Sequence, residues 1–344
     1  MYESIESSVK NLQAAQQKLV DFLDIASIEA LIILFEVMLE QTDEDWASLS
    51  DEQRQDIQSD VQAAKFSDLQ VANRRQVIQF LLVGTIHQDG LQANYQVTPD
   101  AIGMWIAFVA DTFTEGKEAV QLKDITLGTG NLLATTSQVL QSAGKTVHVK
   151  GFENDDTMLT VASGVAALLD ESWQISLTDS VATKMTADAD VVIGDLPIGY
   201  YPQEISENFA TKAEEGLTFV HHLLIEQSIA ALKPGGLAIL TVPANLFESD
   251  QSKKLLSYIQ TDGVYFQSLI QLPDKLFKDP KLGKVILVLQ RSGDNARQAK
   301  PVMLAKAPEL TDGPENKKFV TELDRKSTRL NSSHTLASRM PSSA

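Results

Sequence analysis

The stretch Ala119-Val-Gln-Leu-Lys-Asp124-Ile-Thr-Leu-Gly128-Thr-Gly130-Asn131-Leu-Leu joins a strand-like run to the start of an amphipathic helix. Two glycines at a strand-to-helix turn let a ligand approach the backbone, and the first amides of the helix are available to bind it. The third glycine of a dinucleotide fingerprint is missing, which disfavours a nicotinamide or flavin cofactor. The stretch therefore predicts an α/β fold with a ligand site at this turn.

Strands and helices alternate after this turn. The strand candidates are Ala119 to Ile125, Thr146 to Phe152, Gln174 to Leu177, Val191 to Ile193, Leu237 to Val242, Gln267 to Leu272 and Val285 to Leu289. Helical periodicity covers Leu132 to Ala143, Thr157 to Leu169, Thr218 to Leu232 and Gln251 to Ile259. This order predicts a doubly wound, mostly parallel, seven-stranded sheet of Rossmann-like type. No helix separates the last two strands, so they are expected to be antiparallel.

The N-terminal part of the chain shows helical spacing alone. Ser27 is a candidate cap for a second helix, and Thr98 with Pro99 predicts the start of a later one. We expect a helical domain over 1–95, a ligand-binding α/β domain over 96–292 and an extension over 293–324. Residues 325–344 are rich in serine and free of acids, and we interpret them as a non-native or disordered tail.

Composition limits the function classes. The 344 residues contain no cysteine, which excludes disulfide scaffolds, thiolate metal sites and cysteine nucleophiles, and we expect no metal site. The most apolar run, Ala30 to Phe35, is too short to span a membrane, so we expect a soluble cytoplasmic protein without a membrane partner. The net charge of -17 repels polyanions unless basic residues gather on one surface.

Four successive predicted strands each end near an acid. These acids are Asp124, Glu153, Asp179 and Asp195. The carboxyl ends of parallel strands lie at one edge of a sheet, so the four carboxyl groups are predicted to share one crevice. Glu153 follows Gly130 by 23 residues, the position at which a carboxylate can accept both hydroxyls of a ribose. Asp179 is placed to meet an adenine amino group.

The motifs, taken in order, resemble those of S-adenosylmethionine-dependent adenine DNA methylases, and especially the methylation subunits of type I restriction systems. The resemblance covers roughly residues 95–292. It is carried by Thr98-Pro99-x-x-Ile102, the Asp124 to Leu133 loop, Glu153, Asp195 to Gly199, Leu232-Lys-Pro-Gly-Gly236 and Leu272-Pro-Asp-Lys-Leu-Phe277. It implies the class I methyltransferase fold, S-adenosylmethionine as cofactor and methyl transfer to an exocyclic amine.

The resemblance also implies roles for single residues. The cofactor-binding set is Thr98 and Asp124 at the methionine end, Gly128, Gly130 and Asn131 in the loop, Glu153 at the ribose and Asp179 at the adenine. The catalytic set is Asp195, Leu196, Pro197 and Tyr200. The Asp195 carboxylate and the Leu196 carbonyl would accept both protons of the target amine and localise its lone pair toward the methyl group.

The catalytic tetrapeptide departs from the family pattern of Asn or Asp, Pro, Pro, then Phe or Tyr. Here it is Asp195-Leu196-Pro197-Ile198, so Leu196 keeps the carbonyl but lacks the rigidity of proline. Ile198 cannot stack on a base, a loss of about 1 to 3 kcal/mol. Tyr200 or Tyr201 is a candidate for the missing ring.

Alternatives to an adenine-N6 DNA methylase stay open at this point. One is a cofactor-binding regulatory or interaction protein with little or no catalysis, and another is a methyltransferase acting on RNA, a protein amide or a small amine. The partners considered are DNA, a separate specificity subunit and a second copy bound through the N-terminal helices. Lys275, Lys278, Lys281 and Lys284 with Phe277 form either a phosphate contact or a solvated loop, and residues 201–215 are long enough for a lid.

Overall fold

Two compact units make up the chain in the computed structural model, which describes residues 2–41, 44–91, 93–205, 208–277, 283–293, 296–309 and 311–330. The first unit comprises Met1–Thr98, Leu127–Gln138 and Glu153–Leu177, and the second comprises Pro99–Thr126, Val139–Phe152 and Thr178–Ala344. Each unit is discontinuous along the chain. The predicted domain limits at 95, 292 and 324 are not tested by this division and stay predictions.

Helices predominate at the N-terminal end, as predicted. The helices are α1 (Tyr2–Leu23), α2 (Ser27–Met38), α3 (Glu44–Ser48), α4 (Asp51–Ala64), α5 (Val71–Gln88), α6 (Asp100–Phe113), α7 (Asn131–Ser142), α8 (Asp156–Leu168), α9 (Val220–Ala231), α10 (Ser252–Ile259) and α11 (Gly313–Leu330). The core of the first unit includes Leu12, Leu31, Phe35, Leu81 and Val161, which come from α1, α2, α5 and α8. The apolar spacing of these helices therefore buries one shared face.

The strands are β1 (Ala119–Asp124), β2 (Thr146–Glu153), β3 (Gln174–Leu177), β4 (Ala189–Asp195), β5 (Leu232–Pro243), β6 (Val264–Gln271), β7 (Lys284–Arg291) and β8 (Met303–Lys306). Within the second unit they lie in the order β2-β1-β4-β5-β7-β6-β8. The β1–β2, β1–β4, β4–β5 and β6–β8 pairs are parallel, and β7 is antiparallel to both β5 and β6. The predicted α/β class, mostly parallel sheet and antiparallel end are confirmed.

The described residues form eight strands, one more than the seven predicted. All seven candidates are present, and β8 is the addition. This strand has four residues, of which Met303 is buried and Leu304 is largely exposed. It pairs through its backbone with β6 alone, so its side chains carry little of the apolar alternation that predicts a strand.

Two predicted helix starts are wrong in detail. Helix α6 begins at Asp100 with Pro99 as its N-cap, one residue later than predicted from Thr98. Ser27 does not cap α2, because Ser27 is itself the first helical residue. The first amides, those of Ser27 and Ile28, instead donate to the two oxygens of Asp89 at 2.9 and 2.8 Å. A carboxylate from the end of α5 satisfies two amides at once, and sequence spacing could not reveal it.

The C-terminal helix α11 extends through Leu330 and so includes the start of the segment predicted to be a tail. Phe319 of α11 packs edge-on against Trp105 of α6, with ring centroids 4.9 Å apart. The rest of the predicted tail, 331–344, lies outside the described residues, and its non-native or disordered character stays a prediction.

A buried lysine is held beside the sheet of the second unit. The side chain of Lys123 in β1 is 2% exposed, and its ammonium forms an ion pair with Asp188 and donates to the Thr186 hydroxyl at 3.1 Å. Lys150 of β2 also pairs with Asp188 at 2.7 Å. Burial raises the pKa of Asp188, but the hydrogen bonds from the two lysines outweigh it and lower the pKa to about 2. The ionised carboxylate therefore stabilises the fold at neutral pH.

We expect Asp188→Ala to lower the free energy of unfolding at pH 7 by about 1.5–3 kcal/mol, the range for hydrogen bonds to charged groups. The pKa of Asp188 lies below its ordinary 3.8, so its contribution is present above pH 4 and lost as the pH falls toward 2. Urea unfolding of both proteins at pH 7 and pH 3 measures the difference. Asp56→Ala, which removes an exposed partner of Lys18, is the control and should cost less than about 1 kcal/mol. A wild-type-to-variant difference that does not change with pH would contradict this assignment.

Candidate functional site

Glu153 lies at the end of β2 and binds the backbone of two loops in the first unit. The Gly128 amide donates to Oε2 at 2.7 Å, and the amides of Asn154 and Asp155 donate to Oε1 at 2.9 and 3.0 Å. Burial raises the pKa of the Glu153 carboxyl, and the three amides oppose that rise. A carboxylate offers about four acceptor positions, so these bonds leave capacity for one further donor.

The two loop glycines have different surroundings. Both have positive φ, +54° at Gly128 and +78° at Gly130. A Cβ at Gly128 would meet no heavy atom within 4 Å, whereas a Cβ at Gly130 would lie 2.8 Å from the Trp173 indole. Open space for a ligand therefore lies at Gly128, and Gly130 allows close packing with Trp173.

Two more contacts fix the same part of the first unit. The Asn131 side-chain amide donates to the Thr98 carbonyl at 2.8 Å, and both residues are buried. The Tyr95 hydroxyl donates at 3.2 Å to Asp155, whose other oxygen caps α8 through the Met158 amide. Thr98, Gly128, Gly130, Asn131 and Glu153 thus belong to one connected region. Sequence spacing gave no indication of Tyr95.

In the second unit, the end of β1 is connected to the segment that follows β3. Asp124 is fully buried, and its Oδ1 accepts the Thr126 amide at 3.0 Å. The Ser180 hydroxyl donates to the Ile125 carbonyl at 2.7 Å, and the Thr126 hydroxyl lies 3.5 Å from the Asp195 carbonyl oxygen. These two contacts link the backbone segments that carry three of the predicted acids, namely Asp124, Asp179 and Asp195.

Both carboxylate oxygens of Asp179 are hydrogen-bonded within the second unit. Oδ1 accepts the amides of Val181 and Ala182 at 2.8 and 3.1 Å, and Oδ2 accepts the Tyr201 hydroxyl at 2.8 Å. Burial raises the pKa of Tyr201 to about 12, with a further contribution from Asp179. Tyr201 is buried, so it does not replace the missing aromatic residue of the tetrapeptide. The role of Asp179 toward an adenine stays a prediction.

The tetrapeptide continues the pairing of β4 with β5. Asp195 lies opposite Thr241, and the Leu196 amide donates to the Thr241 carbonyl at 3.0 Å. The Leu196 side chain is fully buried. A proline at this position could not donate this hydrogen bond because it has no N–H. The bond therefore fixes the backbone after Asp195 in place of the proline ring.

Lys284 is the most prominent residue that sequence reasoning misplaced. Its ammonium lies 2.6 Å from Oδ1 of Asp195, and the two side chains are 21% and 16% exposed. By sequence alone, Lys284 belongs to a lysine-rich segment, of which Lys278 and Lys281 lie outside the described residues. Lys275 pairs with Glu309 at 2.8 Å, and both side chains are exposed, as in a solvated loop. Strand pairing, rather than any motif, directs Lys284 to Asp195.

Tyr200 belongs to a stack of rings. It is 55% exposed, and its ring lies parallel to Phe219 with centroids 4.6 Å apart. Phe219 in turn stacks on His221, with ring centroids 5.2 Å apart. Tyr200 and Phe219 also form an isolated antiparallel β-bridge. Burial, and then the neighbouring His222, lower the pKa of His221 to about 3, so this stack is uncharged at neutral pH.

The segment predicted as a lid is anchored at its C-terminal end. Glu226 of α9 accepts the amides of Ala210 and Thr211 and the Thr211 hydroxyl, each at 3.0 Å. The Gln251 side-chain amide donates a hydrogen bond to the Leu217 carbonyl at 2.9 Å. Residues 206 and 207 lie outside the described residues, so closure over a substrate stays a prediction.

The described residues contain neither a candidate metal site nor a candidate membrane span. Among the described residues there is no cluster of three or more His, Asp or Glu side chains that could hold a metal ion. No helix in that part of the chain is long and apolar enough to cross a membrane.

Comparison with known proteins places this geometry in a family. The family model described as N-6 DNA Methylase matches residues 80–331. The chain is 37% identical to the Bacillus subtilis (strain 168) protein YtxK over 292 residues, which is 84% of this chain and 87% of that protein.

Solved structures agree with this match. A Listeria monocytogenes structure assigned to the class I S-adenosylmethionine-dependent methyltransferases has a TM-score of 0.85 and 28% identity, covering 94% of this chain and 99% of that one. The methyltransferase subunit of a type I restriction-modification system from Streptococcus thermophilus has a TM-score of 0.61 and 14% identity, covering 94% and 74%. At that identity the second comparison supports the fold alone. The predicted class I fold is confirmed.

The two loop glycines generate a prediction about stability. Gly128→Ala should cost about 1–2 kcal/mol, because alanine is strained at positive φ. Gly130→Ala has the same strain and also a clash with Trp173, which adds about 1–3 kcal/mol. Urea unfolding followed by circular dichroism compares the two variants. Equal losses would show that Trp173 does not restrict this position.

Proposed function

The chain belongs to the N-6 DNA methylase family, a family of S-adenosylmethionine-dependent methyltransferases, and we propose that it methylates the N6 amine of adenine in DNA, which Asp195 binds. The observation that carries the proposal is the position of Asp195, at the end of β4 on a backbone fixed by the Leu196 hydrogen bond to Thr241. A separate specificity subunit, a second copy bound through the N-terminal helices and a cytoplasmic location remain predictions.

The residues of the first unit fit the proposed cofactor. Gly128 offers open space and positive φ where a ligand must approach the backbone, and Glu153 offers its remaining acceptor position to one ribose hydroxyl. Bound S-adenosylmethionine supplies a methyl group on a positively charged sulfur, which leaves as a neutral thioether. In the first unit we assign Thr98, Gly128, Asn131 and Glu153 to cofactor binding, and Gly130 supports the loop through Trp173. Asp124 and Asp179 belong to the second unit, and their roles at the methionine end and at the adenine stay predictions.

Asp195 and Leu196 provide the acceptors that an exocyclic amine needs. The amine of adenine is a weak nucleophile because its lone pair is delocalised into the ring. Two hydrogen bonds, one to a carboxylate and one to a carbonyl, draw the lone pair back to nitrogen and orient it, and the departing proton passes to solvent. Pro197 follows directly and limits the backbone at the carbonyl of Leu196.

Tyr200 supplies the aromatic surface that Ile198 lacks. Its ring is more than half exposed, and Phe219 supports one of its faces. Stacking on an aromatic ring is worth about 1–3 kcal/mol per base and is possible for any base with a free face. A base taken out of the DNA stack could then bind at Tyr200 while its amine is held at Asp195.

Cofactor binding should depend on pH through Glu153. In this proposal a ribose hydroxyl donates to the ionised carboxylate, and burial raises the pKa of that carboxyl above the ordinary value. The affinity for S-adenosylmethionine should therefore be full near pH 7.5 and fall as the pH drops through the raised pKa, about tenfold for each unit below it. Isothermal titration calorimetry between pH 7.5 and 5 measures this, with circular dichroism as the check on folding.

The matched control is Glu153→Gln, which keeps the shape of the side chain and removes its ionisation. It should bind the cofactor more weakly at pH 7.5 and lose the pH dependence. An unchanged pH profile in this variant would show that another group titrates.

The methylation proposal is tested by supplying labelled S-adenosylmethionine together with unmethylated genomic DNA, RNA or protein, each as a separate fraction. The wild-type protein should place the label in N6-methyladenine, identified by mass spectrometry of the nucleosides. Asp195→Ala should lower the rate at least about a hundredfold and leave cofactor affinity within about twofold, because Asp195 is assigned to the amine alone.

Variants of Tyr200 separate base stacking from chemistry. Tyr200→Leu should raise the KM for DNA about tenfold or more, and Tyr200→Phe should stay near wild type. Label in the protein or RNA fraction alone, or full activity of Asp195→Ala, would refute the proposed function.

A further inference from the structure

A cation lies directly beside the acid that we assign to the target amine. Lys284 is the first residue of β7, and its ammonium lies 2.6 Å from Asp195 Oδ1. Strand pairing explains the contact: Asp195 lies opposite Thr241, Thr241 precedes Pro243 by two residues on β5, and Pro243 lies opposite Lys284. These four positions share one face of the sheet.

Stability alone is a poor explanation for this ion pair. Both side chains are about four-fifths buried, so each has lost most of its hydration. The attraction within such a pair roughly repays the cost of removing two charges from water, and apolar replacements are often as stable. A role in recognition accounts for both charges being present at the end of β4.

The ammonium provides donors next to the carboxylate acceptor. A lysine has three N–H donors, and one of them is directed to Asp195. A molecule that offers an amine hydrogen together with an adjacent acceptor atom can bind both groups at once. Adenine is such a molecule, because ring nitrogens N1 and N7 flank its N6 amine, and a carboxamide is another, because its oxygen flanks its NH2 group.

We propose that Lys284 determines acceptor specificity: it donates to the acceptor atom beside the target amine while Asp195 accepts the amine hydrogen. The inference rests on the proposed function and narrows its substrate class to neutral amines conjugated with an adjacent acceptor. Alkyl amines are excluded, because they lack that acceptor atom and their positive charge is repelled by the ammonium.

A simpler role for Lys284, that of a counter-ion for Asp195, makes a different prediction. A counter-ion affects every acceptor equally, because it acts on the carboxylate alone. A donor to the acceptor molecule matters only when the atom that receives the hydrogen bond is present. Removing that atom from the substrate therefore distinguishes the two roles.

The test compares wild type, Lys284→Met and Lys284→Arg on oligonucleotides that carry adenine, 1-deazaadenine or 7-deazaadenine at the methylated position. Each analogue keeps the amine and lacks one flanking ring nitrogen. For wild type, kcat/KM should fall about tenfold or more on one analogue. Lys284→Met should lose about tenfold on adenine and treat the three bases within about twofold. Lys284→Arg keeps the charge and the donors and should retain the discrimination.

The control variant is Lys233→Met, which removes a lysine from another ion pair in the same unit. Lys233 pairs with Asp190 at 3.0 Å, and Asp190 keeps Lys117 as a second partner. Its kcat/KM values should match wild type on all three bases. If Lys284→Met does not fold by circular dichroism, Lys284→Gln replaces it in the same comparison.

Two outcomes overturn the inference while the proposed function stands. In the first, Lys284→Met loses the same factor in kcat/KM on all three bases, which identifies a counter-ion. In the second, Lys284→Met behaves as wild type.

If wild type methylates no DNA, the proposed function fails, and the same variants are assayed with glutamine-containing peptides and with spermidine. Label in the peptide amide, lost in Lys284→Met, supports the inference, whereas label in spermidine or in neither acceptor overturns it.

Discussion

The pairing of β4 with β5 is the constraint that fixes Asp195, the residue proposed to bind the target amine. It continues one residue past Asp195, through the hydrogen bond from the Leu196 amide to the Thr241 carbonyl. The following residues are held in turn, because the Tyr201 amide donates to Thr218 at 2.8 Å and the Val220 amide donates to Gly199 at 3.0 Å. A proline would restrict this backbone through its ring, whereas leucine restricts it through a bond worth about 1 kcal/mol. The unusual tetrapeptide is thus a different solution to the same positional requirement.

The acids at the ends of β2 and β4 are compensated in chemically different ways. Glu153 accepts three backbone amides, which are neutral, so its region keeps a negative charge when the carboxyl group is ionised. Asp195 is paired with Lys284, so that pair carries no net charge. Under the proposed function, a region that keeps its negative charge suits a cofactor that carries a positive charge. A neutral pair suits a neutral amine, because neither charge is left without a partner when hydrogen bonds are exchanged.

Much of the fold was predictable from the sequence, because strand and helix periodicities survive in a single chain. The Asp124 to Asn131 turn, the seven strands and the antiparallel end were all found in this way. Four-residue β8 was missed, since an edge strand with one buried side chain carries almost no periodic signal. In the candidate site, too, some features were predictable from the sequence and others were not. Residues at strand ends were predictable, but their partners come from other segments of the chain, 22 positions away for Tyr201 and Asp179 and 89 for Lys284 and Asp195.

The acidity of the chain and a nucleic-acid acceptor can be reconciled by the range of the forces involved. A net charge of -17 disfavours the approach of a polyanion, but salt screens exposed charges beyond about 8–10 Å. The contacts that the proposed function assigns to the target base are an uncharged aromatic stack at Tyr200 and the ion pair of Asp195 with Lys284. Such contacts recognise a single base by stacking and by its donor and acceptor atoms, and they gain nothing from the phosphate backbone. Binding of a long duplex would therefore depend on basic groups supplied elsewhere, which is consistent with the expected role of a separate specificity subunit.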